Sequence, residues 1–561
     1  MRIRTVVPRA LAALPFCALA ACSESTQVQT PVDAAPRSTL ATLQCTATVA
    51  TRTIACRPVT QSSTGGARAL IFGGQGVYVR LATTDVGYDS TTQVLDGMVT
   101  VQNLMGQPIG AINDSTPHPD GTRVFFHSGP VVTSGTGTVT VQNPDSTDTF
   151  TASNQPYFRY PGVLPTEATS AAKEWRFNVP TTVGTFSFSL FVSSAVPHET
   201  ALRAIDFDPR TLAVGGFHSC ALNTAGSAFC WGANDDSQLG NGSAAPDSVP
   251  VAVGGGHTWR TITAGRFHTC GITTANQAFC WGDNQTGQLG DGGDADSATP
   301  VPVAGGLAWR QIEAGAAHTC GVTTDFAAFC WGDGAKGQLG TGAADTTNVP
   351  VVVAGGRAWA TVSAATDHTC GVARGGAAYC WGDDAGGRLG NGAGGSTLSP
   401  SLVTGNHSWA SVSAGETHAC GVTSLGAGRC WGTGAAGQLG NGANDDAASP
   451  VLVSGGATWK RITAGRETTC GITTADAGFC WGFNNTGEIG DGGNVYSNAP
   501  VAVGGGLSWR WIVGGDYHTC GITTGGAARC WGYNEFGQIG DNTTTNNPDP
   551  TPVFGGITWA L

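Results

Sequence analysis

The chain has 561 residues, of which 40% are hydrophobic and only 12% charged, and its formal net charge is −12. A length of this order holds several domains or one long repeat array, and the apolar share is enough for a buried core. Three lysines (Lys173, Lys336 and Lys460) and no basic run leave no surface to displace phosphate counterions, which excludes a nucleic-acid binder.

The first element is an address. Arg2, Arg4 and Arg9 precede an apolar run from Ala10 to Ala21, the charged and apolar parts of an export signal. The run is too short for a stable membrane span. It ends Leu19-Ala20-Ala21-Cys22, which resembles the bacterial lipobox. That resemblance implies cleavage before Cys22, lipidation of its sulfur, and residence at the cell envelope, with Ser23 pointing to the outer membrane. The alternative is ordinary cleavage after Ala20 and a soluble secreted protein. Residues 23–40 show no apolar period and read as a flexible tether.

Residues 41–205 alternate apolar and polar positions, as in Val77–Leu81, Met98–Val101 and Phe186–Phe191, with Gly, Pro, Asn and Asp between the runs. This pattern predicts half-buried strands and a β-sandwich-like domain. Cys45 and Cys56 flank a ten-residue stretch that reads as a hairpin closed by a disulfide. The domain shows no catalytic motif; it serves as a stalk or as a second binding domain.

From 206 to 561 one 50-residue unit repeats. Cysteine recurs at 220, 270, 320, 370, 420, 470 and 520 and again ten residues later, each time followed by tryptophan (Trp231 to Trp531). Proline recurs from Pro250 to Pro550. In the second unit four strands are expected: Trp259–Thr263, His268–Ile272, Ala278–Trp281 and Thr299–Val303. Prolines in the fourth place it at a sheet edge. Seven such units predict a β-propeller of four-stranded blades. The tryptophan that opens blades two to seven is replaced by Pro209 in the first and reappears as Trp559, so the C-terminal residues are expected to complete blade one.

The unit His-Thr-Cys-Gly-Ile-Thr-Thr, followed by Phe-Cys-Trp-Gly-Asp-Asn-Gln-Thr-Gly-Gln-Leu-Gly, resembles the regulator-of-chromosome-condensation repeat over about 350 residues. Local departures are Ala365 for Gly, Thr468 for His, and Ile489 and Ile539 for Leu. The resemblance implies a seven-bladed propeller. The founding member's nucleotide exchange on a nuclear GTPase does not carry over to an exported chain.

Two cysteines ten apart across a tight turn stand opposite each other within disulfide range, and an exported chain meets an oxidising compartment. Seven intrablade pairs are therefore expected: Cys220–Cys230, Cys270–Cys280, Cys320–Cys330, Cys370–Cys380, Cys420–Cys430, Cys470–Cys480 and Cys520–Cys530. A zinc reading through His218, Cys220 and Cys230 lacks a fourth ligand and fails at Thr468. The loop carboxylates Asp291, Asp294, Asp296, Asp445 and Asp446 match no calcium-loop spacing. No metal and no cofactor are expected.

Strand alternation sends the first-to-second and third-to-fourth connections to one face. There the repeat varies, at Phe217, Arg266, Phe267, Asp367, Glu416, Arg466, Glu467, Phe483, Asp516, Tyr517, Tyr533 and Phe536. Aromatic and Arg side chains on a rigid frame are binding anchors. The reading is a monomeric, non-enzymatic scaffold that binds an extracytoplasmic protein through this face. The alternatives are a carbohydrate or cell-wall ligand, and inhibition of an extracytoplasmic enzyme, since the repeat family includes a secreted seven-bladed inhibitor of β-lactamase.

Overall fold

The structure is a computed structural model. It describes residues 42–59, 70–72, 79–104, 109, 117, 121–148, 154–194, 210–392 and 394–561. The signal segment, Cys22 and the tether 23–40 lie outside the described residues, as does 195–209. Among the described residues no helix is long and apolar enough to cross a membrane.

Among the described residues, eleven strands precede residue 195: β1 (Thr42–Thr48), β2 (Thr53–Val59), β3 (Leu70–Phe72), β4 (Val79–Asp89), β5 (Val94–Asn103), β6 (Thr122–Gly135), β7 (Thr140–Val141), β8 (Ser146–Asp148), β9 (Gln155–Tyr160), β10 (Lys173–Asn178) and β11 (Val183–Ser194). One sheet runs β2-β1-β11-β6-β9-β8, with β3 also on β11; the other runs β4-β5-β10-β7. Alternation along β5 and β11 turns Leu95, Val99, Val101, Phe186, Phe188 and Leu190 into a shared core with Phe126, Phe158, Trp175 and Phe177. Two sheets closing on one core form a β-sandwich. Phe158 stacks on Trp175 with centroids 4.6 Å apart. Cys45 and Cys56 face each other in the β1–β2 register and are disulfide-bonded.

Seven four-stranded sheets follow. Blade one comprises Leu212–Val214, His218–Leu222, Ala228–Gly232 and Asp247–Ala252; blade seven comprises Trp509–Gly514, His518–Thr523, Ala528–Gly532 and Asn547–Pro552. In every blade the two cysteines are register partners and are bonded, with α-carbons 4.0–4.1 Å apart. This is close to the spacing of a non-hydrogen-bonded pair.

The repeat's signature residues act between blades. Cys220–Cys230 packs toward Trp259, Ile262 and Trp281 of blade two. Trp231, on the opposite side of the same strand, packs against Trp511 and Ile522 of blade seven. The indole Nε1 of Trp281 donates to the Gln238 carbonyl (3.0 Å), and Gly240 has φ +65° with no room beside it, since a Cβ there would lie 2.5 Å from that indole. The Gln-Leu-Gly segment is thus the seat for the next blade's tryptophan. The same seat closes the ring: Trp231 Nε1 donates to the Gln538 carbonyl at 2.9 Å, and Gly540 lies against Trp231.

The chain end completes blade one. Trp559 is 2% exposed and packs on Phe229 and Trp231. The Ala560 amide donates to the Leu222 carbonyl (2.9 Å), and the Thr211 hydroxyl donates to the Ala560 carbonyl (2.9 Å).

The sandwich touches the propeller at blades three and four. The Tyr379 hydroxyl donates to the Glu167 carboxylate, Arg357 lies 3.8 Å from the same carboxylate, and Arg80 donates to the Gly355 carbonyl. Arg357 and Gly355 lie in an inter-blade connection, on the face opposite the first-to-second connections.

Candidate binding face

Each first strand runs into one small residue at the propeller axis: Gly215, Gly265, Gly315, Ala365, Gly415, Gly465 or Gly515. The amide of the residue after it donates to the carbonyl one blade on: Gly216 to Gly265, Arg266 to Gly315, Ala316 to Ala365, Glu416 to Gly465, Arg466 to Gly515 and Asp516 to Gly215. The approach demands glycine, since a Cβ on Gly265 would stand 2.2 Å from the Gly315 carbonyl. Ala365 occupies that position at the seam between blades four and five, where the bond is not made.

Below this ring the repeated histidines are buried. His218 Nε2 bonds the Thr269 hydroxyl of the next blade at 2.8 Å. The contact recurs at His268–Thr319 (2.8 Å), His318–Thr369 (2.9 Å), His418–Thr469 (2.7 Å) and His518–Ser219 (2.7 Å). Burial pushes these imidazoles down, to about 3 for His218, His268, His418 and His518 and to about 4 for His318. They are neutral struts, and His218 is engaged with a hydroxyl beside a closed disulfide. His368 is the exception: Ala419 stands where its hydroxyl partner would be, and its Nε2 has no partner.

An axial cavity of about 110 Å³ runs between the first strands of all seven blades. Deep in it, Arg210 meets Glu313 at 2.8 Å; burial raises the Glu313 carboxyl and Arg210 opposes that rise. At the mouth two further pairs form, Arg266–Asp516 (3.4 Å) and Arg466–Glu416 (3.0 Å). Burial pushes the Asp516 carboxyl up to about 6, against the pull of Arg266. Arg466 also lies over the Tyr517 ring (4.7 Å) and donates to its hydroxyl, while Arg266 lies 5.6 Å over Phe267.

Beside the mouth, five rings from three blades gather. Phe217 is the centre, with Tyr517 at 5.4 Å, Phe536 at 5.5 Å, Tyr533 at 6.3 Å and Phe267 at 6.5 Å. The Tyr533 hydroxyl donates to Glu535. Thus nine of the twelve positions singled out in the sequence form one aromatic and charged constellation. Phe483 lies apart in blade six against Tyr496 (4.9 Å). The Glu467 carbonyl accepts from the Phe483 amide, and the Asp367 carbonyl holds the Asp383 amide; both residues lie on this face outside the constellation.

The third-to-fourth loops are held by a residue the sequence reading passed over. Asn284 Oδ1 accepts from the Leu289 amide, and its Nδ2 donates to the Gly293 and Ala295 carbonyls; Asn234, Asn484 and Asn534 do the same. Asp291 and Asp296 cap this loop, accepting from the Gly293 and Asn284 amides. Their spacing was a visible signal, but turn-forming Asx residues carry it without any ligand. Tyr496 was also missed, because only the folded loop brings it beside Phe483.

These features define a closed seven-bladed β-propeller whose connections on one face carry the variable residues. Its repeats are similar to the regulator of chromosome condensation (RCC1) repeat: one model of that repeat matches residues 225–272, 276–322, 327–372 and 375–422, and a second matches 210–238, 259–288, 309–338 and 512–538. No curated protein sequence is similar enough to register as a relative. Among solved structures, human WBSCR16 superposes with TM-score 0.53 at 20% identity, over 59% of this chain and 94% of that one. Yeast RCC1 (Prp20), solved bound to Kap60, superposes with TM-score 0.54 at 16% identity, over 64% and 91%. At these identities the likeness is one of fold.

Proposed function

We propose that the chain is a non-enzymatic protein-binding scaffold of the cell envelope, anchored by lipid on Cys22, that holds its partner on the aromatic face of the propeller. One observation carries the reading: Phe217, Phe267, Tyr517, Tyr533 and Phe536 converge from three blades beside a charged axial mouth, on the face opposite the Gly355 connection that Arg80 contacts. Rigid aromatic and Arg side chains give contact area at low entropic cost and dominate binding energies. The frame beneath them is fixed by one disulfide per blade and by histidine struts between blades. Eight disulfides belong to an extracytoplasmic protein. Five of the six repeated histidines are engaged with the next blade, which supports a structural role for them over a catalytic one.

The test is capture from envelope extracts by the full chain and by Phe217→Ala, Tyr517→Ala and Phe536→Ala combined. Each central aromatic anchor is worth about 2 kcal/mol or more, so the triple variant should retain no specific partner. Phe554→Ala with Leu425→Ala, two exposed residues of the opposite face, should retain it. Equal capture by the aromatic variant would remove this face from the function.

A further inference from the structure

The negative charge of the molecule is gathered on one face. The fourteen connections of the aromatic face hold twenty Asp and Glu residues against four Arg and Lys, a net of −16. Sixteen of the acids lie in the third-to-fourth loops, and the other four are Asp367, Glu416, Glu467 and Asp516. The connections of the opposite face hold Asp325, Asp476, Arg357 and Arg374 and sum to zero. The whole chain carries −12, so its remaining parts are on balance positive. Like charges crowded on one rigid surface repel one another. Asp236 shows it: burial, together with Asp283, Asp296 and Asp235, raises its carboxyl. A field of one sign over a concave mouth selects and steers partners of the opposite sign.

The axial mouth adds an independent observation. Asp516 Oδ2 and Glu416 Oε2 are buried there and accept no hydrogen bond, although Arg266 and Arg466 stand near as ion-pair partners. Each carboxylate has about four lone-pair sites, so an arriving cationic donor adds to these ion pairs without replacing them. The cavity's 110 Å³ is several water volumes, room for a cationic side-chain head and little more. The five-ring patch beside it offers cover for the stem of that side chain and for an apolar neighbour.

We propose that the partner is a basic polypeptide, which seats a lysine or arginine head at the axial mouth against Asp516 and Glu416 and lays adjoining apolar residues on the Phe217 patch. The inference rests on the scaffold reading and adds the partner's chemistry. Loop carboxylates such as Asp291 and Asp296 are occupied in capping their own turns, and the mouth and the overall field do the selecting.

The probe is a short fluorescent peptide carrying lysines beside tryptophan, measured by anisotropy on the full chain, with a counterpart in which glutamate replaces each lysine. The lysine peptide should bind, weaken steeply with added salt, and lose about tenfold or more in affinity to Asp516→Asn with Glu416→Gln. Asp325→Asn with Asp476→Asn removes the same charge from the opposite face and should change affinity by less than about twofold. Near-ultraviolet circular dichroism confirms that both double variants are folded, and the salt dependence needs no variant. Equal losses in the two double variants, or equal binding of the glutamate peptide, would overturn the proposal. A partner captured through the aromatic patch that proves acidic would overturn it too, and would leave the scaffold reading standing.

Discussion

Replacing Ala419 by threonine should stabilise the propeller. The seam between blades four and five departs from the others at three positions. Ala365 replaces the axial glycine, Ala419 replaces the hydroxyl residue, and Arg388 replaces the Gln or Glu of the tryptophan seat. At five other seams a histidine Nε2 meets a hydroxyl at 2.7–2.9 Å, and the Thr hydroxyls also donate to the seat carbonyl, as Thr369 does to Gln338 (2.8 Å). At position 419 neither bond exists, and His368 Nε2 is buried without a partner. An unmet buried polar group costs about 1–3 kcal/mol, and a new hydrogen bond returns about 1 kcal/mol net. Ala419→Thr should therefore gain about 1–2 kcal/mol, and Thr269→Ala at an intact seam should lose about as much. Scanning calorimetry should show Ala419→Thr melting about 1–3 °C higher. If it melts no higher while Thr269→Ala melts lower, the methyl of Ala365 holds the seam too wide for the bond, and the equivalence of the seams is refuted.

Alkylation without reductant should modify none of the fourteen repeat cysteines, and reduction should cost about 3 kcal/mol per ten-residue loop. Deleting Trp559-Ala560-Leu561 should cost about 3–5 kcal/mol through the lost tryptophan packing alone, read as a lower melting temperature. Six histidines (218, 268, 318, 368, 418 and 518) have folded pKa values pushed below the unfolded 6.5. The unfolded chain then binds more protons, so their contribution to stability is complete above pH 6.5 and is lost progressively as pH falls toward about 3. Acid unfolding should accordingly take up about six protons in that window, measurable from the pH dependence of the unfolding free energy. Asp516 works in the opposite sense: its folded value of about 6 lies above 3.8, so the ionised carboxylate is a cost at neutral pH that fades as pH falls through 6. Asp516→Asn should raise the melting temperature at pH 7.5, keep about half of that advantage at pH 5, and lose it below about pH 4.

The blades were legible because the paired cysteines and the tryptophan after them make the same contact seven times. Cys220 and Cys230, Trp231, and the closing Trp559 could be placed from spacing alone, since a fixed 50-residue period leaves only one register for the sheets. The face was legible from strand alternation. The pairing on it was not. Arg266 meets Asp516 and Phe217 meets Phe536 only because the ring brings blades one, two and seven together, and no local pattern encodes that proximity. Asn284 and its equivalents were hidden for the opposite reason: an Asn in a loop is so ordinary that its three bonds across the turn leave no distinctive trace. Ala365, Ala419 and Arg388 read singly as drift, and become one altered seam only when the blades stand side by side.

Hydrogen–deuterium exchange on the full chain, with and without the captured partner, tests the central claim most directly. Protection should appear in the first-to-second connections of blades one, two and seven and in the loop from Tyr533 to Phe536. Protection confined to the second-to-third hairpins and the inter-blade connections would contradict the account.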